Sequence, residues 1–439
     1  MKLSRIVVGS AWLLGCGIVG LAPSPVLAAT GAAQEAAPAP TPTPSGSPAV
    51  TANIPIRFFA NVLLRQDFTT TQDKPDFLLP GNNIYGLTTR LRFGMEFKDP
   101  KSTVSGGIRV SAGEAPNPAS PFIRLGDAFR PVGFGLDQFY VDVRPFKNKE
   151  RVHAVFGKMP MPFWRGDKGI IRNEMVMDDD ISPVGASLHT VLYKGDRKNK
   201  PVSLENMAGY YIVEWFQDAR FQGLVGNTSL WADQLKLTVR RVTISAEYFH
   251  WQNLNSGART PSFVPGQSAV LFPGQSAFLL RGGFQATNAQ VDLGSGVHTF
   301  RENEFDILSG TAQGTIPVKL PGLGKSEIVV LGHYTRNFSV DDEHKGYGIS
   351  LGIVGGDQRR GIKPFSVHGT WRNVEADAAI GTYADSDLGG GTDAKGFEVT
   401  GDYRIHKNLA LGASFFNFDG VPHQSTNVKR TFLAILWDF

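Results

Sequence analysis

The chain has 439 residues, with 44 lysines and arginines against 40 aspartates and glutamates, and a single cysteine. Charged residues make up 19% of it, and past the N-terminus it lacks the apolar runs of about 18 residues that a helical membrane protein needs. The small positive excess is diffuse and no basic block carries interleaved aromatics, so no nucleic-acid partner is expected.

The first element in chain order is a secretory leader over residues 1–28. Lys2 and Arg5 supply its charged start, Ile6 to Leu21 its apolar segment, and Val26-Leu27-Ala28 small residues for cleavage. Leu13-Leu14-Gly15-Cys16 also matches a lipoprotein cleavage box, but the apolar run continues through Ile18, Val19 and Leu21, as a signal core does. Cleavage after Ala28 leaves a chain without cysteine, hence with no disulfide and no thiol chemistry. Residues 29–53 are rich in Ala, Pro, Thr and Ser and read as a semi-extended linker, either a disordered tail or a periplasmic tether.

From residue 54 to 439 the dominant pattern has period two, the spacing that sends successive side chains to opposite faces of a strand. Tyr85, Leu87, Leu91, Phe93, Met95 and Phe97 share one face, and Thr88, Arg90, Arg92, Glu96 and Lys98 the other. Val242, Ile244, Ala246 and Tyr248 alternate with Thr243, Ser245 and Glu247, and Phe397, Val399, Tyr403 and Ile405 with Glu398, Thr400, Asp402 and Arg404. A soluble β-sandwich also alternates. Here, however, charges recur on the polar face strand after strand, and the connections alternate between tight ones (98–101, 146–150, 195–200, 355–360, 406–408) and long ones (68–83, 113–135, 158–184, 253–297, 374–395).

That asymmetry predicts an all-β fold: a transmembrane antiparallel up-and-down β-barrel of about sixteen strands, with short periplasmic turns and long extracellular loops. The expected strands are 55–67, 84–98, 102–112, 136–145, 151–158, 184–194, 201–215, 227–240, 241–251, 298–312, 325–338, 345–354, 363–373, 396–405, 409–418 and 429–439. The last reads TFLAILWDF, with Leu433, Ile435, Trp437 and Phe439 on one face. A terminal phenylalanine with Trp437 two residues earlier resembles the assembly signal of bacterial outer-membrane barrels. Within the 253–297 loop, Pro-Gly-Gln-Ser-Ala occurs twice, at 265–269 and 273–277, which reads as a local duplication or as a gate or receptor-like loop tip.

The segment from Gly157 to Gly185 is the third outward loop. Stiff, apolar Met159-Pro160-Met161-Pro162-Phe163-Trp164 is followed by Arg165, Asp167, Lys168 and Arg172, and then by Asp178-Asp179-Asp180. A glycine leaving a strand, Pro-Phe-Trp, a bulky connector, an Asp-rich cluster and a glycine entering the next strand resemble the bacterial outer-membrane putative porin family, with phosphate-selective-type porins as the near alternative. The resemblance extends loosely over 55–439 and implies a passive diffusion pore.

The residues themselves point the same way. A charged loop folded into a barrel narrows it, and clustered charge at such a narrowing sets selectivity. Arg165, Asp167, Lys168, Arg172, Asp178, Asp179 and Asp180 are the expected constriction residues. Arg57, Arg65, Arg90, Arg92, Glu96, Arg109, Arg372, Glu398, Asp402 and Arg404 are the expected lumen wall. The aspartate triplet could instead lie solvated at the outer rim or hold calcium, but no metal or other cofactor is expected. Gly348-Ile349-Ser350-Leu351-Gly352 matches Gly-x-Ser-x-Gly, but inside an alternating strand rather than at a strand-to-helix elbow. The histidines show no metal-ligand spacing, so no enzyme is expected.

The function expected is an outer-membrane channel of a Gram-negative bacterium for small polar or charged solutes. The alternative is a closed or plugged barrel with a structural, adhesion or cell-wall-contact role. Its partners would be outer-membrane lipid, the barrel-assembly machinery, and small polar solutes and ions, with a homotrimer as a possible assembly.

Overall fold

A computed structural model of the chain describes residues 56–72, 83–98, 102–112, 122–125, 133–146, 151–166, 171–196, 201–217, 225–255, 288–292, 298–321, 324–357, 362–385, 387, 391–420 and 427–439. The leader, the linker, Asp167, Lys168 and the Pro-Gly-Gln-Ser-Ala repeat lie outside the described residues. Sixteen long strands follow in chain order: β1 (Ile56–Gln72), β2 (Asn83–Lys98), β3 (Val104–Ala112), β4 (Phe134–Val143), β5 (Val152–Lys158), β6 (Val184–Asp196), β7 (Pro201–Gln217), β8 (Val225–Val239), β9 (Val242–Gln252), β10 (Phe305–Leu320), β11 (Gly324–Asn337), β12 (Lys345–Asp357), β13 (Ile362–Val374), β14 (Ala394–His406), β15 (Leu409–Gly420) and β16 (Asn427–Asp438).

Each strand pairs antiparallel with its sequence neighbours, and β16 returns to β1, with Asn61 opposite Asp438 and Gln72 opposite Asn427. The sheet is therefore a closed barrel. Every one of these strands pairs on both sides, which removes the open edge that lipid would not tolerate. Three shorter segments stand apart. Ile123–Leu125 continues the row of β3 against β2, and Gln290–Asp292 pairs with His298–Phe300 as a small hairpin. Among the described residues no helix is long and apolar enough to cross a membrane.

The alternation read from sequence becomes two chemically distinct faces. On β9, Val242, Ile244, Ala246 and Tyr248 are exposed, while Thr243, Ser245, Glu247, Phe249 and Trp251 are buried. Exposed large apolar residues recur around the barrel, among them Phe58, Phe93, Leu188, Trp231, Ile349, Leu351 and Leu433. In water each would forgo about 1.5–3 kcal/mol of burial; against hydrocarbon each is buried. Aromatic pairs sit toward the long-loop ends of the strands, with ring centroids 4.6 Å apart for Tyr210 and Trp231, 5.7 Å for Tyr347 and Trp371, and 6.0 Å for Phe68 and Tyr85. Trp437 stacks on Phe439 at the opposite end. Aromatic girdles at both interfaces are what a membrane barrel presents.

The two largest boundary differences from the sequence reading are at β10 and β1. The tenth strand is Phe305–Leu320, not 298–312. Pro317, opposite Glu327, reads as a breaker because it has no N–H for the ladder. The apparent start at His298 belongs to the small hairpin instead. β1 continues to Gln72, because Thr69, Thr70 and Thr71 extend the strand that a polar run seemed to end.

Candidate functional site

The third long connection, residues 159–183, is set by a glycine pair. Gly157 on β5 lies opposite Gly185 on β6. A Cβ on Gly157 would sit 2.3 Å from the Phe139 carbonyl oxygen, and its φ of +109° suits glycine; on Gly185 a Cβ would sit 2.1 Å from the Tyr210 oxygen. Where the loop leaves and rejoins the wall, β5 thus lies closer to β4, and β6 closer to β7, than a side chain at the glycine would allow.

From that base the loop grips two stretches of the inner wall. The first contact is apolar. Met159, Phe163, Val176, Met177 and Ile181 are buried in one cluster with Tyr211, Leu230, Phe249, Trp251, Phe305 and Ile307 of β7–β10. The Phe163 ring meets Phe249 and Tyr211 edge-on, at 5.5 and 5.9 Å between centroids. Trp164 N–H donates to Gln234 Oε1, and Gln234 Nε2 donates back to the Trp164 carbonyl, both at 2.8 Å. Further along, Ile171 packs on Val329 and Leu331 of β11, and Asn173 Nδ2 donates to Thr311 Oγ1 at 2.7 Å. The sequence signal for this contact was Tyr248-Phe249-His250-Trp251, where aromatic residues break the alternation.

The second contact is charged. Arg90 and Arg92 of β2 each donate to Asp180 at 2.8 Å. Arg109 of β3 donates to Asp137 at 2.6 Å, Arg92 Nε lies 3.3 Å from the same carboxylate, and Ser182 donates to its other oxygen at 3.2 Å. Burial would raise the Asp180 pKa, but Arg90 and Arg92 outweigh it and hold the carboxyl below its usual range.

The three consecutive aspartates therefore do not act as one patch. Asp178 is buried, and burial followed by the nearness of Glu174 raises its pKa well above normal. Asp179 is exposed and paired with Arg172. Arg165 also departs from expectation. It is buried inside the loop and donates to the Asn173 and Met177 carbonyls, bracing the loop's own backbone instead of lining a path. Glu174, Asp178 and Asp179 bring carboxylate oxygens within 4.8 Å of one another, a donor type that suits hard cations. Yet Arg172 already engages Asp179, and burial favours the neutral forms of the other two.

The 375–393 connection, expected only as a long outer loop, packs against the third loop. Ala379 and Ile380 enter the same apolar cluster, and Tyr383 stacks on Trp251 with centroids 5.3 Å apart. Asp178 N–H donates to the Tyr383 carbonyl at 2.6 Å, and Asp385 N–H to the Glu174 carbonyl at 2.9 Å. Glu174 is pushed up to about 8 by burial and then by Asp385. The second loop also engages the wall: Arg372 pairs with Asp385, Arg65 with Asp387 at 3.3 Å, and Arg430 donates to the Asp387 carbonyl at 3.1 Å. Arg65 lies between the Phe122 and Phe432 rings, 3.8 and 3.9 Å from their centroids. The short apolar stretch Ala378-Ala379-Ile380 was its legible signal.

Of the remaining wall residues, Glu398 lies near enough to feel Glu174, Arg372 and Asp385 of this junction. Arg57 lies opposite Glu96 across β1 and β2. Glu398 accepts from His368 Nε2 at 3.1 Å, Asp402 shares its face, and Arg404 donates to the Lys407 carbonyl at 2.7 Å.

The profile of a family described as "putative porin" matches residues 62–258 and 322–438. Among solved structures, a Pseudomonas putida OprB structure at high pH is similar at 11% identity, covering 88% of this chain and 94% of that one, with a TM-score of 0.52. A Rhodopseudomonas blastica porin triple mutant is similar at 12% identity, covering 87% and 100%, with a TM-score of 0.43. No match was found among curated protein sequences.

Proposed function

The chain belongs to the putative porin family, and on that premise we propose that it is a water-filled outer-membrane channel for passive diffusion of small polar or charged solutes, narrowed by its third outer loop. The observation that carries this reading is the attachment of one loop to two separate stretches of inner wall, through Phe163 on β7–β9 and through Asp180 on β2. A loop so held projects from the wall, and arginines meet aspartates where it crosses. No catalytic step is required of any residue: the chemistry is the sorting of solutes by size and charge.

One observation favours the plugged-barrel alternative: the 375–393 loop shares a buried apolar seam with the third loop. Planar-bilayer recordings of the purified protein separate the two. The channel reading expects stepwise ohmic conductance. It also expects that replacing Asp178, Asp179 and Asp180 by asparagine shifts the reversal potential in a salt gradient towards anions, most at low ionic strength, where screening is least. Absence of conductance from folded wild-type barrels would favour the plug. Conductance with an unmoved reversal potential would place the narrowing elsewhere.

A further inference from the structure

Toward the short-turn end of the barrel, a file of titratable side chains crosses five strands. Asp142 Oδ1 of β4 lies 3.1 Å from His153 Nδ1 of β5; His153 Nε2 lies 2.7 Å from His189 Nδ1 of β6; His189 Nε2 lies 3.3 Å from Glu205 Oε2 of β7. The file is anchored at both ends. Arg144 donates to Asp142 at 2.6 Å, and Lys236 of β8 sits 2.8 Å from Glu205, which also accepts from Ser203 at 3.0 Å. Paired with those cations, both carboxylates count as acceptors only.

Counting hydrogens exposes a deficit. Three contacts in the file each need one hydrogen. Two neutral imidazoles carry one N–H each and supply two. If both rings turn their N–H to the carboxylates, two bare nitrogen lone pairs face each other across 2.7 Å. If either ring donates to the other, a lone pair faces a carboxylate instead. One additional positive charge between the rings resolves the conflict.

We propose that His153 Nε2 and His189 Nδ1 bind a divalent transition-metal ion of the zinc class on the channel wall, with water or a passing solute completing its coordination. The arrangement matches a recurring one, in which a metal-bound imidazole donates its other N–H to a carboxylate that fixes its tautomer and raises its basicity. Imidazole nitrogens select zinc, copper or nickel over calcium or magnesium. Two nitrogens at 2.0–2.1 Å from a tetrahedral ion lie about 3.4 Å apart, so the rings must separate by several tenths of an ångström. Both side chains are about one-fifth exposed, at 23% and 20%, which admits water and leaves room for that movement.

The test is isothermal titration of the purified, folded full-length barrel with zinc chloride at pH 7.5. It is repeated at pH 5.5 and with H153Q, H189Q, the double variant and E205Q, each checked for heat-modifiable mobility. The inference expects one site per chain, weakened at least tenfold by either histidine change, weakened 10–100-fold by E205Q, and weakened at pH 5.5, because only a deprotonated imidazole nitrogen binds a metal. Heat uptake in the wild type no greater than in the double variant would mean that a proton alone fills the gap, and would overturn the inference. Binding of equal strength in all variants would assign the metal to other histidines and overturn it equally. Neither result depends on whether the barrel conducts.

Discussion

The third loop is held by two contacts of opposite character, and they respond to different perturbations. On β7–β10 the inner wall is apolar, and Phe163 and Met177 dock by exclusion of water, a force that charge screening does not weaken. On β2 and β3 the inner wall is basic, and Asp180 and Ser182 dock by charge and hydrogen bonding, a force that salt weakens unless water is kept out. The apolar contact fixes where the loop sits. In the proposed channel the charged contact would set the field that a solute meets.

Three changes would break or sharpen that division. The largest effect is expected from F163A. Removing a buried aromatic costs about 3–5 kcal/mol, enough to release the loop while the barrel stays closed. Single-channel conductance should rise, and the loop should become sensitive to protease in folded, heat-modifiable protein. Unchanged conductance and protease resistance would make the apolar contact dispensable.

The next concerns Asp180 alone. Two unit charges about 4 Å apart interact by about 4 kcal/mol at an effective dielectric near 20, and by about 1 in bulk water. Asp178 is held towards its neutral form and Asp179 is paired with Arg172, so Asp180 is the charge that masks Arg90 and Arg92. D180N should therefore reproduce most of the anion shift of the triple replacement, whereas D178N should move the reversal potential little. Equal shifts from the two would mean that the aspartates act as one patch after all.

The smallest effect is set by pH. Folding raises Glu174 from 4.5 to about 8, so the folded junction holds a proton that the released loop gives up. Its contribution is full below about 4.5 and is lost as pH rises through about 8. Raising the pH from about 6 to about 9 should therefore increase open-channel noise or substates in wild-type recordings, and E174Q should remove that dependence. A pH-independent wild-type trace would show that the two loops part, if at all, without this proton.

The barrel was legible because its lipid and water faces impose period two on every strand, and the turn asymmetry followed from loop length. Local signals misled at Pro317, which lies beyond the last β9 pairing at Gly314 and is held in the strand by its β11 partner Glu327. The site was legible in part. The loop's apolar and acidic segments were visible, but Asp178, Asp179 and Asp180 look alike in sequence and differ only through what surrounds them. Arg165 read as a pore charge because nothing local shows a guanidinium turning back onto its own loop. His153 and His189 lie 36 residues apart, and no spacing rule joins them. Only the register of β5 against β6 does.

The seam between β1 and β16 carries a consequence for the making of the molecule. Asn61 donates to Asp438 across 377 residues of chain, and the Phe439 amide donates to the Ala60 carbonyl at 2.9 Å. Loop-closure entropy grows only with the logarithm of length, so such a span adds little to the equilibrium cost. Its burden is kinetic, because contacts of long sequence separation form slowly. In any state where β16 is undocked, β1 and β15 present open edges, each a template for another chain. The finished barrel has none, so the time to dock twelve residues at the end of the chain sets how long each molecule is exposed to pairing with the wrong neighbour.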